Sequence, residues 1–259
     1  MANPDSVEIV VLPARSDNYA YLLRDVATGL VASIDAPEAA PIEAALHDRG
    51  WSLDQIWLTH HHGDHVEGVQ PLRDRFAAKV VGHAKDAARL PQLDMTVGEG
   101  DTVRLGESTA RVLDVSGHTI GHIAYVLDDA LAAFTADSLM ALGCGRVFEG
   151  THAMMWESLS KLTALSPETR IYSGHNYGQA NGRFAQSIEP GNDALADRIA
   201  GIAAADAAGT PIVPVSLAEE LETNPFLRAT DPGVKASLGL TGADDAATFA
   251  EIRRRKDAF

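Results

Sequence analysis

Along the first two thirds of the chain the apolar positions fall in short runs: "VEIVV", "YAYLL", "LVASI", "QIWL", "KVVG", "ARVLDV", "HIAYVL" and "RIYSG". Runs of this length, rich in Val, Ile, Leu and Tyr and bounded by polar or glycine-bearing segments, predict β-strands. Helical stretches are interleaved with them. "PEAAPIEAALHDRG" has prolines near its start, an Ala- and Leu-bearing middle and Gly50 where a C-terminal cap belongs, and "MMWESLSKLTAL" is closed by Ser166 and Pro167. From about residue 178 the pattern changes, and "NDALADRIAGIAAADAAG", "SLAEELE" and "DDAATFAEIRRRK" are helix-favouring and open on capping residues. The pattern predicts an α/β domain over residues 1–176 and a mainly helical domain over residues 177–259, without a fixed-period repeat.

Composition narrows the class. With 259 residues, 46% of them hydrophobic and 22% charged, the chain can bury a sizeable core, and no apolar stretch approaches the roughly 20 residues of a membrane span. The opening "MANPDSVEIVVLPARSDN" has neither the basic start nor the continuous apolar segment of an export signal, so the expectation is a cytoplasmic protein with no membrane partner. The single cysteine, Cys144, cannot form an internal disulfide and excludes a thiolate cluster, so any metal must be held by nitrogen and oxygen. A formal charge of −15 argues against a nucleic-acid partner. An anionic small molecule could still bind locally, where Arg253, Arg254, Arg255 and Lys256 stand together near the C-terminus. Cations there also favour the negative end of a last helix.

The densest chemistry lies in "LTHHHGDHVEG", directly after the buried-strand pattern "QIWL". The segment reads as a loop leaving a strand end toward a helix beginning near Val66, the position where α/β proteins place their chemistry. In an extended segment residues two apart point the same way, so His60 and His62 can converge on one point while His61 faces away. Asp64 and His65 then follow the turn toward a second point. Imidazole nitrogen and carboxylate oxygen are the ligands that zinc and similar cations prefer.

"THHHGDH" resembles the Thr-His-X-His-X-Asp-His signature of the metallo-β-lactamase superfamily, and "SGHTIGH", "FTADSL" and "YSGHNY" follow β-type runs in the order of that superfamily's later ligand loops. The resemblance implies an αββα metallo-β-lactamase-type sandwich with a C-terminal mainly helical domain. It also implies a binuclear site in which His60, His62 and His118 hold one metal, Asp64, His65 and His175 hold the other, and Asp137 bridges them, with Asp35 as a supporting group behind the ligands. His122 is left as structural and His47 as a helix-end residue, while His61, His83 and His152 have no assigned partner and Cys144 is assigned to packing.

Within the superfamily the chain is similar to the hydroxyacylglutathione hydrolase (glyoxalase II) family over nearly its whole length, through "GCGRVFEG", "GHNY", "NPFLR" and "RRRKDAF". That likeness implies glutathione contacts from Arg146, Phe148, Tyr177, Arg253 and Lys256. It departs from the family pattern in placing Arg146 where lysine is usual and Phe148 where a tyrosine hydroxyl is usual. The first keeps its charge but forks its donors, and the second loses one hydrogen bond, a net cost of about 0.5–1.5 kcal/mol.

The implied reaction is hydrolysis of S-D-lactoylglutathione, or another S-2-hydroxyacylglutathione, to glutathione and D-lactate, the second step of methylglyoxal detoxification. The implied nucleophile is a hydroxide bridging two divalent cations, zinc first with iron or manganese as alternatives, and Asp64 aims it. The expected assembly is a monomer or weak dimer. The competing readings are a mononuclear-iron glutathione persulfide dioxygenase, a superfamily hydrolase of another thioester or lactone, a β-lactamase and a non-catalytic scaffold. The second ligand set with His175 and the long helical C-terminus weigh against the dioxygenase, the missing export signal and the "TADS" aspartate against the β-lactamase, and the full set of seven ligands against the scaffold.

Overall fold

The computed structural model describes residues 3–259; Met1 and Ala2, the first residues of the stretch read for an export signal, lie outside the described residues. The chain packs as two compact units. One is made of the residues up to Asp114 together with Ile120–Ala136, and the other of Val115–Thr119 and Asp137–Phe259.

In the first unit five predicted strands form in order, β1 (Val7–Ala14), β2 (Asn18–Asp25), β3 (Val31–Ile34), β4 (Gln55–Trp57) and β5 (Lys79–His83), and an unpredicted sixth, β6 (Met95–Val97), follows them. They make one sheet in that order, antiparallel from β1 to β3 and parallel from β3 to β6. Parallel pairing needs crossovers. These carry α1 (Ala39–Arg49), the single turn α2 (Gly63–Val66) and α3 (Val69–Phe76). Helix α1 stops at Gly50, whose φ of 65° is a left-handed conformation open to glycine at little cost. Ile42, Leu46, Ile56, Leu58, Val69 and Leu72 pack the helices onto this sheet. A second run of antiparallel strands follows: β7 (Thr102–Leu105), β8 (Ser108–Asp114), β9 (Ile123–Leu127) and β10 (Ala132–Ala136). All five residues of β9 and of β10 are buried.

Parallel pairing aligns the carboxyl ends of β3, β4 and β5. Asp35 follows β3 and donates its N–H to the Trp57 carbonyl, and Leu58 donates to Val81. The "THHHGDH" segment therefore leaves the sheet beside Asp35, as the strand-end reading expects.

The second unit opens with a two-stranded hairpin, β11 (Leu139–Met140) and β12 (Gly143–Cys144), followed by α4 (His152–Thr163) and β13 (Arg170–Ser173). Then come α5 (Gly178–Ile188), α6 (Asp193–Ala208), β14 (Val215–Ser216), α7 (Leu217–Thr223), α8 (Pro232–Leu238) and α9 (Asp245–Asp257). β13 and β14 pair antiparallel. The predicted caps are in place: the Asn192 side chain accepts from Leu195 N–H, Ser216 and Glu219 form a capping box, and Asp244 accepts from Ala247. No helix of the described residues is long and apolar enough to cross a membrane.

The fold is the expected mixed α/β sandwich with a C-terminal helical region, with three local differences. Helical geometry begins at Gly63 rather than near Val66, so Asp64 and His65 occupy a helical turn instead of a loop. His122 stands just before β9 and not within it. Strands β6, β7, β10, β11, β12 and β14 and helices α5 and α8 were not marked by the hydrophobic pattern.

Candidate metal centre

The first unit brings His60 and His65 to one buried carboxylate, with His62 beside His60 and Asp64 beside His65. Asp35 accepts from Thr59 N–H and from the Thr59 hydroxyl, both at 2.8 Å, and its Oδ2 lies 2.7 Å from His65 Nδ1. Because the Thr59 hydroxyl donates to Asp35, its oxygen is left to accept from His60 Nδ1, 3.0 Å away. Both imidazoles thus carry their proton on Nδ1, which makes Nε2 the lone-pair nitrogen available to a cation. Asp35, His60 and His65 offer ligand atoms within 4.8 Å of one another. The His62 ring meets His60 edge-on at 4.8 Å, and Asn18 donates to both the Asp64 carboxylate and its carbonyl at 3.1 Å.

His61 does face away, as its place in the extended segment predicts. Its Nδ1 lies 3.0 Å from the buried Asp86 carboxylate, which Arg89 also engages. His122 is buried and stacked on His60, with ring centroids 4.6 Å apart. His83 Nδ1 meets the Gly121 carbonyl at 3.1 Å, His152 packs edge-on against Phe249, and His47 pairs with the neighbouring Asp48. Thr59 opens the "THHHGDH" signature, whereas Asn18 and Asp86 carry no motif of their own. Only their polarity beside buried positions marks them in the sequence.

The second unit holds the other three predicted ligands. His118 Nδ1 donates to the Arg146 carbonyl at 2.8 Å, so this ring also presents Nε2. That Nε2 is 3.4 Å from Asp137 Oδ2, and His175 Nε2 is 3.3 Å from the same oxygen. Asp137 follows β10 directly. The chain returns past it at Gly145, where a Cβ would lie 2.1 Å from the Asp137 carbonyl and 2.9 Å from His118 Nδ1, so only glycine fits that passage.

The residues expected to meet glutathione lie in the same unit. Tyr177 stacks on His175 at 4.7 Å with its ring nearly parallel, and Phe148 packs edge-on against His118 at 5.3 Å. Phe148 is 61% exposed. The Arg146 side chain, 59% exposed, has its guanidinium 5.9 Å from the Phe148 ring. Arg253 differs: it is 4% exposed, with Nη1 on the Cys144 carbonyl at 2.9 Å and Nε and Nη2 on Asp257. Lys256 Nζ donates to the Ala180 carbonyl at 3.1 Å and sits over the Phe184 and Phe259 rings. Burial, followed by the like charges of Arg253 and Arg183, pulls its ammonium below the ordinary lysine value, an environment that favours an incoming anion.

Cys144 is buried, and burial pushes its thiol up to about 11 against the opposing pull of Arg253. The thiolate is the reactive form. The native protein is expected to give less than about 0.1 thiol per chain with Ellman's reagent at pH 8 and about one after denaturation. A full equivalent from the native state would contradict the packing assignment.

Residues 25–175 match the metallo-beta-lactamase superfamily, and residues 176–259 match the hydroxyacylglutathione hydrolase C-terminus. A hydroxyacylglutathione hydrolase of Ruegeria pomeroyi is 59% identical over 98% of this chain and 99% of its own length. Among solved structures, ETHE1 from Myxococcus xanthus is 27% identical with a TM-score of 0.68 over 96% of this chain and 89% of that one. TTHA1623 in a di-iron-bound form is 25% identical with a TM-score of 0.60 over 85% of this chain and 100% of that one. The His and Asp donor sets together with these likenesses support the use of divalent metal.

Proposed function

The chain belongs to the metallo-beta-lactamase superfamily and, within it, to the hydroxyacylglutathione hydrolases, and from this we propose how its residues cleave a glutathione thioester. It is a thioester hydrolase, acting on S-2-hydroxyacylglutathiones and yielding glutathione and a 2-hydroxy acid, with S-D-lactoylglutathione as the substrate to test first. The observation that carries the site assignment is the fixed orientation of three imidazoles. His60, His65 and His118 each commit Nδ1 to an oxygen acceptor, which is how histidines are set for metal.

In this reading His60, His62 and His118 would hold one divalent cation, Asp64, His65 and His175 would hold a second, and the Asp137 carboxylate would serve both. Zinc suits the donor set, and iron and manganese are the alternatives. When bound, the pair supplies a water ionised near neutral pH and a Lewis acid for the carbonyl oxygen. Asp64, steadied by Asn18, accepts the hydrogen bond that aims the attacking oxygen at the thioester carbonyl. The leaving thiolate has a solution pKa of about 8.5, so no side chain is needed to protonate it.

Arg146, Tyr177 and Lys256 grip the glutathione part, and Arg253 adds its charge from the buried side. Its carboxylates require such cations in a chain of formal charge −15. The division of labour follows the domains read from the sequence, with residues 1–176 carrying every metal ligand and residues 177–259 supplying most of the grip. The same reading places a monomeric or weakly dimeric enzyme in the cytoplasm, with no nucleic-acid or membrane partner.

The test sets the protein against two substrates. Thiol release from S-D-lactoylglutathione without oxygen uptake on glutathione persulfide supports the hydrolase, and the reverse pattern contradicts it. Because Phe148 lacks the hydroxyl usual in the family, Phe148→Tyr is expected to lower KM about two- to tenfold, the equivalent of about 0.5–1.5 kcal/mol, with kcat little changed. An unchanged KM would remove residue 148 from the glutathione contacts.

A further inference from the structure

Between the proposed bridging ligand Asp137 and the glutathione-side residue Arg146, the chain forms the β11–β12 hairpin. Among the described residues its strands pair with each other and with no other strand. Five of its backbone groups are taken up by four side chains from the helical region. Asn224 Nδ2 donates to the carbonyls of Gly143 at 3.0 Å and Met140 at 3.3 Å. Glu220 Oε2 accepts Leu142 N–H at 3.2 Å. Asn181 Nδ2 donates to the Ala141 carbonyl at 3.0 Å, and Arg253 reaches the Cys144 carbonyl.

Glu220 and Asn224 are each 0% exposed. They are tied to each other at 2.9 Å, Arg198 neutralises the Glu220 carboxylate, and Asn224 Oδ1 accepts Phe226 N–H. Burying an ion pair is a poor route to stability alone, because desolvation consumes most of the Coulombic gain. What the arrangement does supply is directional hold on a hairpin whose strands are not hydrogen-bonded into either larger sheet. One end of that hairpin carries the Asp137 carboxylate. The other leads through Gly145, which passes against Asp137 and His118, to the Arg146 carbonyl that orients His118.

We propose that Glu220 and Asn224 are positioning residues for the metal centre, holding the 139–145 hairpin so that Asp137 and His118 keep their ligand geometry. This rests on the binuclear reading above. The two residues touch neither substrate nor metal; they act through the backbone, as outer-sphere groups act through the ligands they orient.

The test compares Asn224→Ala with Val234→Ala, a core truncation in α8, which supplies none of the hairpin bonds described. Both proteins are metal-loaded, checked for fold by circular dichroism, and followed for metal loss to EDTA at a temperature well below either unfolding transition. Asn224→Ala is expected to lose metal about tenfold faster than the parent and to fall about tenfold in kcat, the lower end of outer-sphere effects, while Val234→Ala holds its metal. Equal metal retention in Asn224→Ala and the parent, or equal loss in both variants, overturns the proposal. Should Asn224→Ala not fold, Asn181→Ala, which removes only the Ala141 bond, decides by the same comparison. Metal retention is read without substrate. A parent that holds its metals but cleaves no thioester therefore refutes the hydrolase reading and leaves the clamp to be judged on its own result.

Discussion

Asp137→Ala is expected to lower kcat/KM by more than about 100-fold and to reduce bound metal from about two ions per chain to about one, with the fold retained. Losses in groups that only orient ligands already reach about 10–100-fold, and a shared ligand, the role proposed for Asp137, should exceed them. The geometry behind this is local. One carboxylate oxygen lies 3.3 Å from His175 Nε2 and 3.4 Å from His118 Nε2, a spacing at which a single group serves both imidazoles. Alanine leaves those two nitrogens with no shared anion between them, and two cations held close together without it repel each other. Metal analysis beside steady-state kinetics checks both halves. Undiminished turnover with both metals present would remove Asp137 from the bridge.

The second large effect is expected at Asp35, which by this account binds no metal itself. Its φ of 55° lies in the left-handed region, which asparagine tolerates better than most residues, so Asp35→Asn isolates the charge and the acceptors from the backbone. The carboxylate accepts two hydrogen bonds from Thr59 and meets His65 Nδ1. An amide whose NH2 replaces Oδ2 faces both the Thr59 hydroxyl and His65 Nδ1, leaving buried groups unsatisfied at a cost of about 1–3 kcal/mol. At about 2–4 °C per kcal/mol for a chain of this size, Tm should drop by several degrees. Metal affinity should fall about 10–100-fold, since His65 and, through Thr59, His60 lose the acceptors that set their tautomers. Competition with a chelator of known affinity measures this directly. An unchanged affinity in a destabilised protein would mean that Asp35 only braces the fold.

The histidine loop was legible because its chemistry is contiguous: four of the seven proposed ligands fall within six residues after one buried strand, and the extended backbone sends His61 away from them. Asp137 and His175 stand far apart in the sequence, and only the family likeness gave them roles. The hydrophobic pattern found strands with Val, Ile and Tyr but passed over β10, whose "AAFTA" is fully buried yet has no alternation to read. Helix α5 was hidden by two glycines and an asparagine that local propensity counts against a helix, although Asn181 and Gly182 lie on its buried side.

Arg253 shows how a charge run can mislead. "RRRK" reads as one basic surface, but Phe249, Ile252 and Arg253 share the inward face of α9 while Arg254 points outward, 66% exposed. The helical spacing from Phe249 and Ile252 was the available signal. Glu220 and Asn224 offered no such signal, because in sequence a buried polar clamp looks like any other capped, charged helix.

The central claim is a metal-dependent glutathione thioesterase, and it is tested most directly by thiol release from S-D-lactoylglutathione in parallel samples of metal-loaded and chelator-stripped protein with bound metal counted. The account predicts release that rises with metal content toward about two ions per chain, disappears on stripping and returns on reloading. Release that persists in stripped protein, or no release from protein carrying its full metal complement, would contradict it.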